Sequence, residues 1–340
     1  MVRIYCRTYN HEKYIIDALN GFAEQQTNFP FVATIVEDHS KDNTANVIRQ
    51  YVNDNFNIED TAVAYQKETE YANVTYAQHK TNKNCFFAVI LLKYNHHQLR
   101  KSVFPYIEEW SSKSKYFAIC EGDDYWIDPL KLQKQVDYLE SHQDVGLVHT
   151  DYHFVNVSSE VVNGGEMATH YKNDIKNGYI WHKYLLGAGY ILTCTVLYRK
   201  SLVTEEKKFM DHGLFMMLER QMKVYQIPEV TACYRINPNG MMQSQISFVS
   251  KQATRTCFYQ LYYYSTDREH TNKFYYRNLG VLFTIVRAII NNGRNLHSLE
   301  IQEAKALYCT IVRKNFLKLI LLSPIVFIVI ASEKLLRFIR

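Results

Sequence analysis

Short β-branched runs and amphipathic stretches take turns along the first 155 residues, and this alternation restricts the possible folds more than any other feature of the chain. The strand candidates are Val2 to Cys6, Phe31 to Glu37, Thr61 to Gln66, Tyr116 to Glu121 and Val145 to Val155. Strand, helix, strand repeats of this kind imply an α/β fold, a mostly parallel sheet flanked by helices. The first helix is expected near His11 with Asn10 as its cap, because Tyr14, Ala18 and Phe22 recur at helical spacing beside Ile15 and Leu19. Ser40 is placed to cap a second helix carrying Val47, Ile48, Tyr51 and Val52. Asp128 followed by Pro129 opens a third, with Leu132, Val136 and Leu139 as its apolar stripe.

Beyond residue 155 the pattern loosens into polar loop, then resumes with strands over Cys194 to Tyr198 and Lys223 to Ile236 around a helix at Gly213 to Met222. After Pro238, Asn239 and Gly240 the character changes. Residues 246 to 318 are helical in period and rich in Tyr, Phe, Arg and Lys. Two regions are therefore expected, a domain over 1–240 and a helical C-terminal region over 241–340. Within the latter, Leu319 to Ala331 carries no charge but holds only 13 residues, with Pro324 among them. That is short of the roughly 20 needed to span a bilayer. Arg313, Lys314 and Lys318 precede it and Lys334, Arg337 and Arg340 follow. Apolar length and basic flanks suit a helix lying in a membrane surface, which places the contact in 315–340. The competing reading is a helix packed on its own domain.

Composition removes several classes. With 47% hydrophobic residues the chain is not disordered, and 12 Gly and 6 Pro in 340 residues exclude a collagen-like or linker-rich architecture. The net charge of +5 (39 − 34) is small and its cations are dispersed until the C-terminal part, which argues against a nucleic-acid partner. Seven cysteines without a CxxC pair read as reduced core thiols of a cytosolic protein, and MVRIYCRTYN shows no secretory leader.

The chemistry concentrates where an apolar strand ends in carboxylates, at Cys120, Glu121, Gly122, Asp123, Asp124, Tyr125 and Trp126. Ligands of open α/β sheets bind at the carboxyl ends of strands. Adjacent carboxylates there repel unless a cation joins them, and hard oxygen donors select Mg²⁺ or Mn²⁺ shared with substrate phosphates. The alternative is a solvated turn that caps the next helix. A second acidic strand end, Glu37 and Asp38, lies one unit after Thr8, Tyr9 and Asn10. Tyr9 can stack on a nucleobase and Asp38 can accept from base N–H groups, while either residue alone is more often loop and cap than ligand.

TYNHEKYIIDALNGF, EDHSKDNT and EGDDYWIDPLKLQKQVDYLE resemble the inverting family 2 glycosyltransferases of GT-A fold, in the bacterial subgroup marked by EGDDYW. The resemblance covers residues 1–155 well and 195–240 loosely. It implies a GT-A-like, Rossmann-like sheet, a nucleotide-sugar donor, a divalent metal (Mn²⁺ or Mg²⁺) and transfer with inversion. Carried over, Asp124 binds the metal, Asp123 the donor ribose or the metal, and Thr8, Tyr9 and Asp38 lie at the nucleoside. Asp211 matches the catalytic base of the family's Gly-Asp-Trp-Pro-Leu segment, with departures at Met210, His212 and Gly213 and with His212 as a competing base. Arg235 either pairs with the diphosphate or is a surface arginine at a strand end. UDP is the commonest donor nucleotide of the family. The expected acceptor is a saccharide or lipid-linked oligosaccharide for capsule, O-antigen or exopolysaccharide, modified at the cytoplasmic face of the plasma membrane.

No QxxRW occurs, so a single transfer is expected rather than processive synthesis. The rivals are a nucleotidyltransferase, whose Gly-rich basic phosphate loop CRTYNHEKY lacks, and a nucleotide-sugar-binding module without the base. His149, Asp151 and His153 share one face of a strand, as a metal set or as core and cleft-wall residues. Residues 71–115, Asn95, His96 and His97 among them, read as a long insert before the EGDDYW strand.

Overall fold

In the computed structural model the described residues are 1–164, 175–176, 179–180, 191–203, 214–215, 218 and 221–240. They fall almost wholly in the larger of two compact units, Met1–Tyr184 with Ala188–Asn237. Four parallel strands form its centre. β1 (Val2–Thr8) lies between β2 (Phe31–Glu37) and β6 (Tyr116–Ile119), and β5 (Cys85–Leu92) continues beyond β2. All seven residues of β2 are buried, as a strand covered on both faces requires. On one face Ile4, Cys6 and Ile35 pack with Ile15, Leu19 and Phe22 of α1 (Ile15–Ala23) and Ile48 and Val52 of α2 (Thr44–Asn55). On the other, Val32, Val36, Ala88 and Ile90 meet Ile107 and Trp110 of α4 (Phe104–Ser112).

The neighbour of β2 is not the Thr61 to Gln66 run. That region supplies β3 (Ala64–Glu68), which with β4 (Ala72–Gln78) makes an antiparallel hairpin on the far side of β5. β3 is buried only at Ala64, whereas the last six residues of β5 are all buried, so the apolar run takes the interior and the polar one the edge. The 71–115 stretch is thus part of the sheet and its cover, including α3 (His96–Leu99).

Each of these helices starts a few residues later than the sequence pattern places it. α1 begins at Ile15 after a turn in which His11 O accepts from Tyr14 and Ile15; α2 is preceded by Asn43 rather than Ser40. The polar side chains expected as caps instead tie loops together. Asp128 holds the turn before α5 (Lys131–Ser141), its Oδ1 accepting from Leu130 N–H at 2.8 Å.

The other half of the sheet pairs β8 (Val145–Val155) in parallel with β13 (Lys223–Arg235), while β12 (Leu197–Arg199) runs antiparallel between β8 and β6. Residues Thr193–Thr195 form a 3-10 turn, so the strand expected from Cys194 starts only at Leu197. β7 (Tyr125–Trp126) lies on β13, β9 (Val161–Gly164) on β8, and β11 (Tyr179–Ile180) joins β10 (Ile175–Lys176) to β13. Leu214, Phe215, Leu218 and Gln221 are helical, within the helix expected over Gly213 to Met222.

α5 carries its Leu132, Val136 and Leu139 stripe inward, together with two polar residues. Lys131 Nζ donates to Gln135 Oε1 at 2.6 Å and to Thr195 O at 3.3 Å, and lies 4.5 Å from the centre of the Trp126 ring. Trp126 Nε1 in turn donates to Cys194 O at 2.7 Å. Complete burial pushes the Lys131 amine down to about 7. All five described cysteines are buried and free. Among the described residues no helix is long and apolar enough to cross a membrane. The C-terminal region over 241–340 with its 315–340 segment, Asp211 and His212 lie outside the described residues.

Candidate active site

The carboxyl ends of β1, β2 and β6 meet at one edge of the sheet, and two loops build its rim. The loop after β1 is locked to the loop after β2 by reciprocal bonds. Asn10 N–H donates to Ser40 Oγ (2.9 Å), Lys41 N–H to Asn10 Oδ1 (2.8 Å), His11 N–H to Thr44 Oγ1 (2.9 Å) and Asn43 N–H to Glu12 Oε2 (2.8 Å). Asn10 (φ 57°) and His39 (φ 58°) are both left-handed, a conformation uncommon outside glycine and found here where both strands end. Bonded to each other, these loop groups fix the path of the chain that follows Thr8 and Tyr9.

The acidic motif joins this rim from β6. Gly122 N–H donates to Arg7 O at 3.0 Å, and a Cβ on Gly122 would stand 2.6 Å from Thr8 Oγ1, so only glycine permits this approach. Asp124 is 3% exposed, and its Oδ1 accepts the Arg235 backbone N–H at 2.8 Å. Burial, reinforced by the negative charges of Asp123 and Glu121, raises its pKa well above the usual carboxylate range. Asp123 Oδ2 accepts from Asn237 Nδ2 at 3.2 Å and lies 3.5 Å from His11 Nε2. His11 Nδ1 is 3.2 Å from Thr8 Oγ1, and burial lowers the imidazole pKa against the opposing pull of Asp123. Thr193 Oγ1 donates to Glu121 Oε2 at 2.8 Å.

Thr8, Asp123, Asp124 and Arg235 therefore come together, and the Arg235 guanidinium is neither at the surface nor free of partners within the protein. Its Nε donates to Asp123 O (2.9 Å), its NH1 to Asn156 O (3.1 Å) and Ser159 Oγ (3.0 Å), and its NH2 to Asp17 Oδ2 (2.7 Å). The guanidinium lies between the rings of Tyr14 (4.7 Å) and Tyr125 (5.3 Å), with 1% of the side chain exposed. Tied in on every side, it fixes the backbone of the acidic motif from beneath. Asp38 is likewise engaged inside the protein, by Arg7 and by the first amides of α3.

Sequence reasoning missed His11, Asn237 and Arg7. His11 lies three residues beyond Thr8 in TYNHEK, a signal within reach, whereas nothing local marks Asn237 as a neighbour of Asp123.

The site holds hard oxygen donors of the kind a divalent cation takes. Asp124 is a buried carboxylate beside two others, and the nearest cation, Arg235, offers it a backbone N–H while its guanidinium is bonded elsewhere. Among the described residues no group of three or more His, Cys, Asp or Glu could hold a metal alone, so neither His149, Asp151 and His153 nor the acidic motif forms a closed cage. One or two carboxylates completed by water and substrate phosphates is the usual Mg²⁺ pattern. A separate groove of about 550 Å³ between α2 and β3–β5, lined by Arg49, Lys67, Val74 and Leu91, shares no residue with this edge.

No protein-family model matches the chain. Uncharacterized proteins of Mycobacterium tuberculosis (H37Rv) and Mycobacterium bovis are 28% identical to it over 243 residues, 70% of this chain and 59% of theirs. The matched region thus spans about three-fifths of the length of those relatives. Among solved structures, S. aureus TarS 1–349 in complex with UDP-GlcNAc is similar with a TM-score of 0.52 at 15% identity, covering 90% of this chain and 79% of that one. The mannosyltransferase PcManGT from Pyrobaculum calidifontis, in complex with GDP-Man and Mn²⁺, gives 0.51 at 12% identity, covering 93% and 80%. The fold is that of the GT-A glycosyltransferases, an α/β architecture around a mixed, largely parallel sheet.

Proposed function

We propose that this chain is a metal-dependent glycosyltransferase that moves one sugar, with inversion, from a nucleoside-diphosphate donor to a saccharide hydroxyl. The observation that carries the reading is the pair Asp123 and Asp124, held at the end of β6 against the locked loops after β1 and β2. Thr8 and Tyr9 line the nucleoside side of this edge. Asp124 and Asp123 are the residues that would hold Mn²⁺ or Mg²⁺, which when bound neutralises the diphosphate as it leaves. Arg235 and Asn237 keep the two carboxylates in register, and Asp38 orders the Arg7 and α3 side of the nucleoside site.

The acceptor oxygen forms the new bond to the anomeric carbon as the bond from that carbon to the diphosphate oxygen breaks. The hydroxyl proton goes to a general base, assigned to Asp211 by the sequence resemblance. UDP-GlcNAc and GDP-Man on TarS and PcManGT support a nucleotide-sugar donor for a protein of this fold. The basic-flanked apolar run over 319–331 supports work at the inner membrane surface on a lipid-linked acceptor for a cell-surface polysaccharide.

The test is thermal unfolding of the full chain with UDP, GDP, CDP or dTDP, each with and without Mn²⁺. A nucleotide at about 100 times its Kd adds roughly 2.7 kcal/mol, a rise of a few degrees. We expect stabilisation that needs Mn²⁺ and is lost in Asp124→Asn, while Asp211→Asn keeps binding and loses transfer. Stabilisation indifferent to metal and to Asp124 would refute the site.

A further inference from the structure

Asp38 and Arg7 stand side by side at the ends of β2 and β1, the edge to which the proposed function assigns the nucleoside, but they differ in what they can still offer. The Asp38 carboxylate is turned to partners within the protein. Its Oδ1 accepts the His96 backbone N–H at 2.6 Å, and its Oδ2 accepts the His97 N–H at 3.1 Å and an Arg7 NH2 hydrogen at 2.6 Å. Asp38 is 1% exposed, so an N–H of an incoming base could reach its carboxylate only by opening the packing of α3 and Arg7 over it. The Arg7 side chain is 34% exposed. Asp38 is the one hydrogen-bond partner of its guanidinium among the described residues, which leaves most of its five donors available. The salt bridge also anchors one end of the guanidinium beside Asp38, so the remaining donors stay at this edge.

An arriving base therefore meets an anchored donor rather than an acceptor. Resting on the nucleotide-sugar reading above, we propose that Arg7 selects the donor nucleotide by a bidentate contact to two adjacent acceptors on the base edge. Guanine presents O6 and N7 in that way, and cytosine presents O2 and N3. Uracil and thymine set an N3–H donor between their two carbonyls, which faces a guanidinium with a donor against a donor. The uridine nucleotide that the resemblance points to is the one this edge disfavours, and a guanosine or cytidine diphosphate sugar is the substrate class it suits.

The experiment measures Kd for UDP, dTDP, GDP and CDP with Mn²⁺ on the full chain and on Arg7→Lys and Arg7→Gln. Lysine keeps a positive charge beside Asp38 but has no fork of donors, so Arg7→Lys separates base reading from loss of the ion pair. GDP or CDP is expected to bind about 10-fold or more tightly than UDP and dTDP, and that gap is expected to close in Arg7→Lys with unchanged melting temperature. The GDP and CDP arms decide between guanine and cytosine. Binding of UDP or dTDP as tight as GDP and CDP, or a gap that survives both substitutions, overturns the proposal. If none of the four binds a folded protein with metal present, the nucleotide-sugar reading itself falls, a result distinct from binding without discrimination.

Discussion

A charged residue at the end of a strand says little about which way its charge is used, and Arg235 shows why. In sequence it ends β13 like any exposed arginine, yet it is enclosed by Tyr14, Tyr125, Asp17 and the 156–159 turn, the Asp17 contact reaching across 218 residues of sequence. Lys131 is the opposite case, a cation within a helix that the fold buries completely. Its ordinary pKa near 10.5 falls to about 7 because burial disfavours the charged form. Below pH 7 the amine is protonated in both folded and unfolded chains, and the full burial penalty opposes folding. Between pH 7 and 10.5 the unfolded chain holds a proton that the folded one has released, so stability rises with pH through that window, by on the order of 4 to 5 kcal/mol in total. Urea unfolding at pH 7, 8, 9 and 10 is expected to show this rise, and Lys131→Met to flatten it. A rise that persists in Lys131→Met assigns it to another group.

At the scale of elements, the acidic motif stays in place because α1 lies directly on β7. A Cβ on Gly21 would sit 2.8 Å from Trp126 O and 2.9 Å from Trp126 N. In an exposed helix Gly→Ala stabilises by about 1 kcal/mol. Here the backbone contact reverses the sign, and Gly21→Ala is expected to cost about 1–3 kcal/mol in a denaturant titration. Since β7 follows Asp124 directly, the same substitution is expected to weaken metal-dependent nucleotide binding. The legibility of the elements followed their burial. β2 was readable to the residue from its nearly unbroken apolar run and β8 from its apolar start and alternating continuation, and β5 carried the same apolar signal in CFFAVILL. What was unreadable was rank in the sheet: local pattern does not say that β3 and β4 turn outward while β5 takes the place beside β2. Helix starts were misjudged for a related reason, since Asn10 and Ser40 bond each other's loops, a pairing 30 residues apart.

For the whole molecule, all the donor-side residues described here lie in the unit formed by Met1–Tyr184 and Ala188–Asn237. We expect residues 1–240 expressed alone to keep the metal-dependent nucleotide affinity of the full chain, and association with anionic vesicles in a flotation assay to require the remainder. Loss of nucleotide binding in the shorter chain would make the C-terminal region part of the donor site. The sequence by itself determined the α/β class, the strand ends at which chemistry gathers and the acidic motif, because periodicity and adjacent carboxylates are local properties. Tertiary structure alone decided which charges remain available. Arg235 and Asp38 became internal supports and Arg7 became the exposed donor, because availability depends on burial and on partners brought from distant parts of the chain.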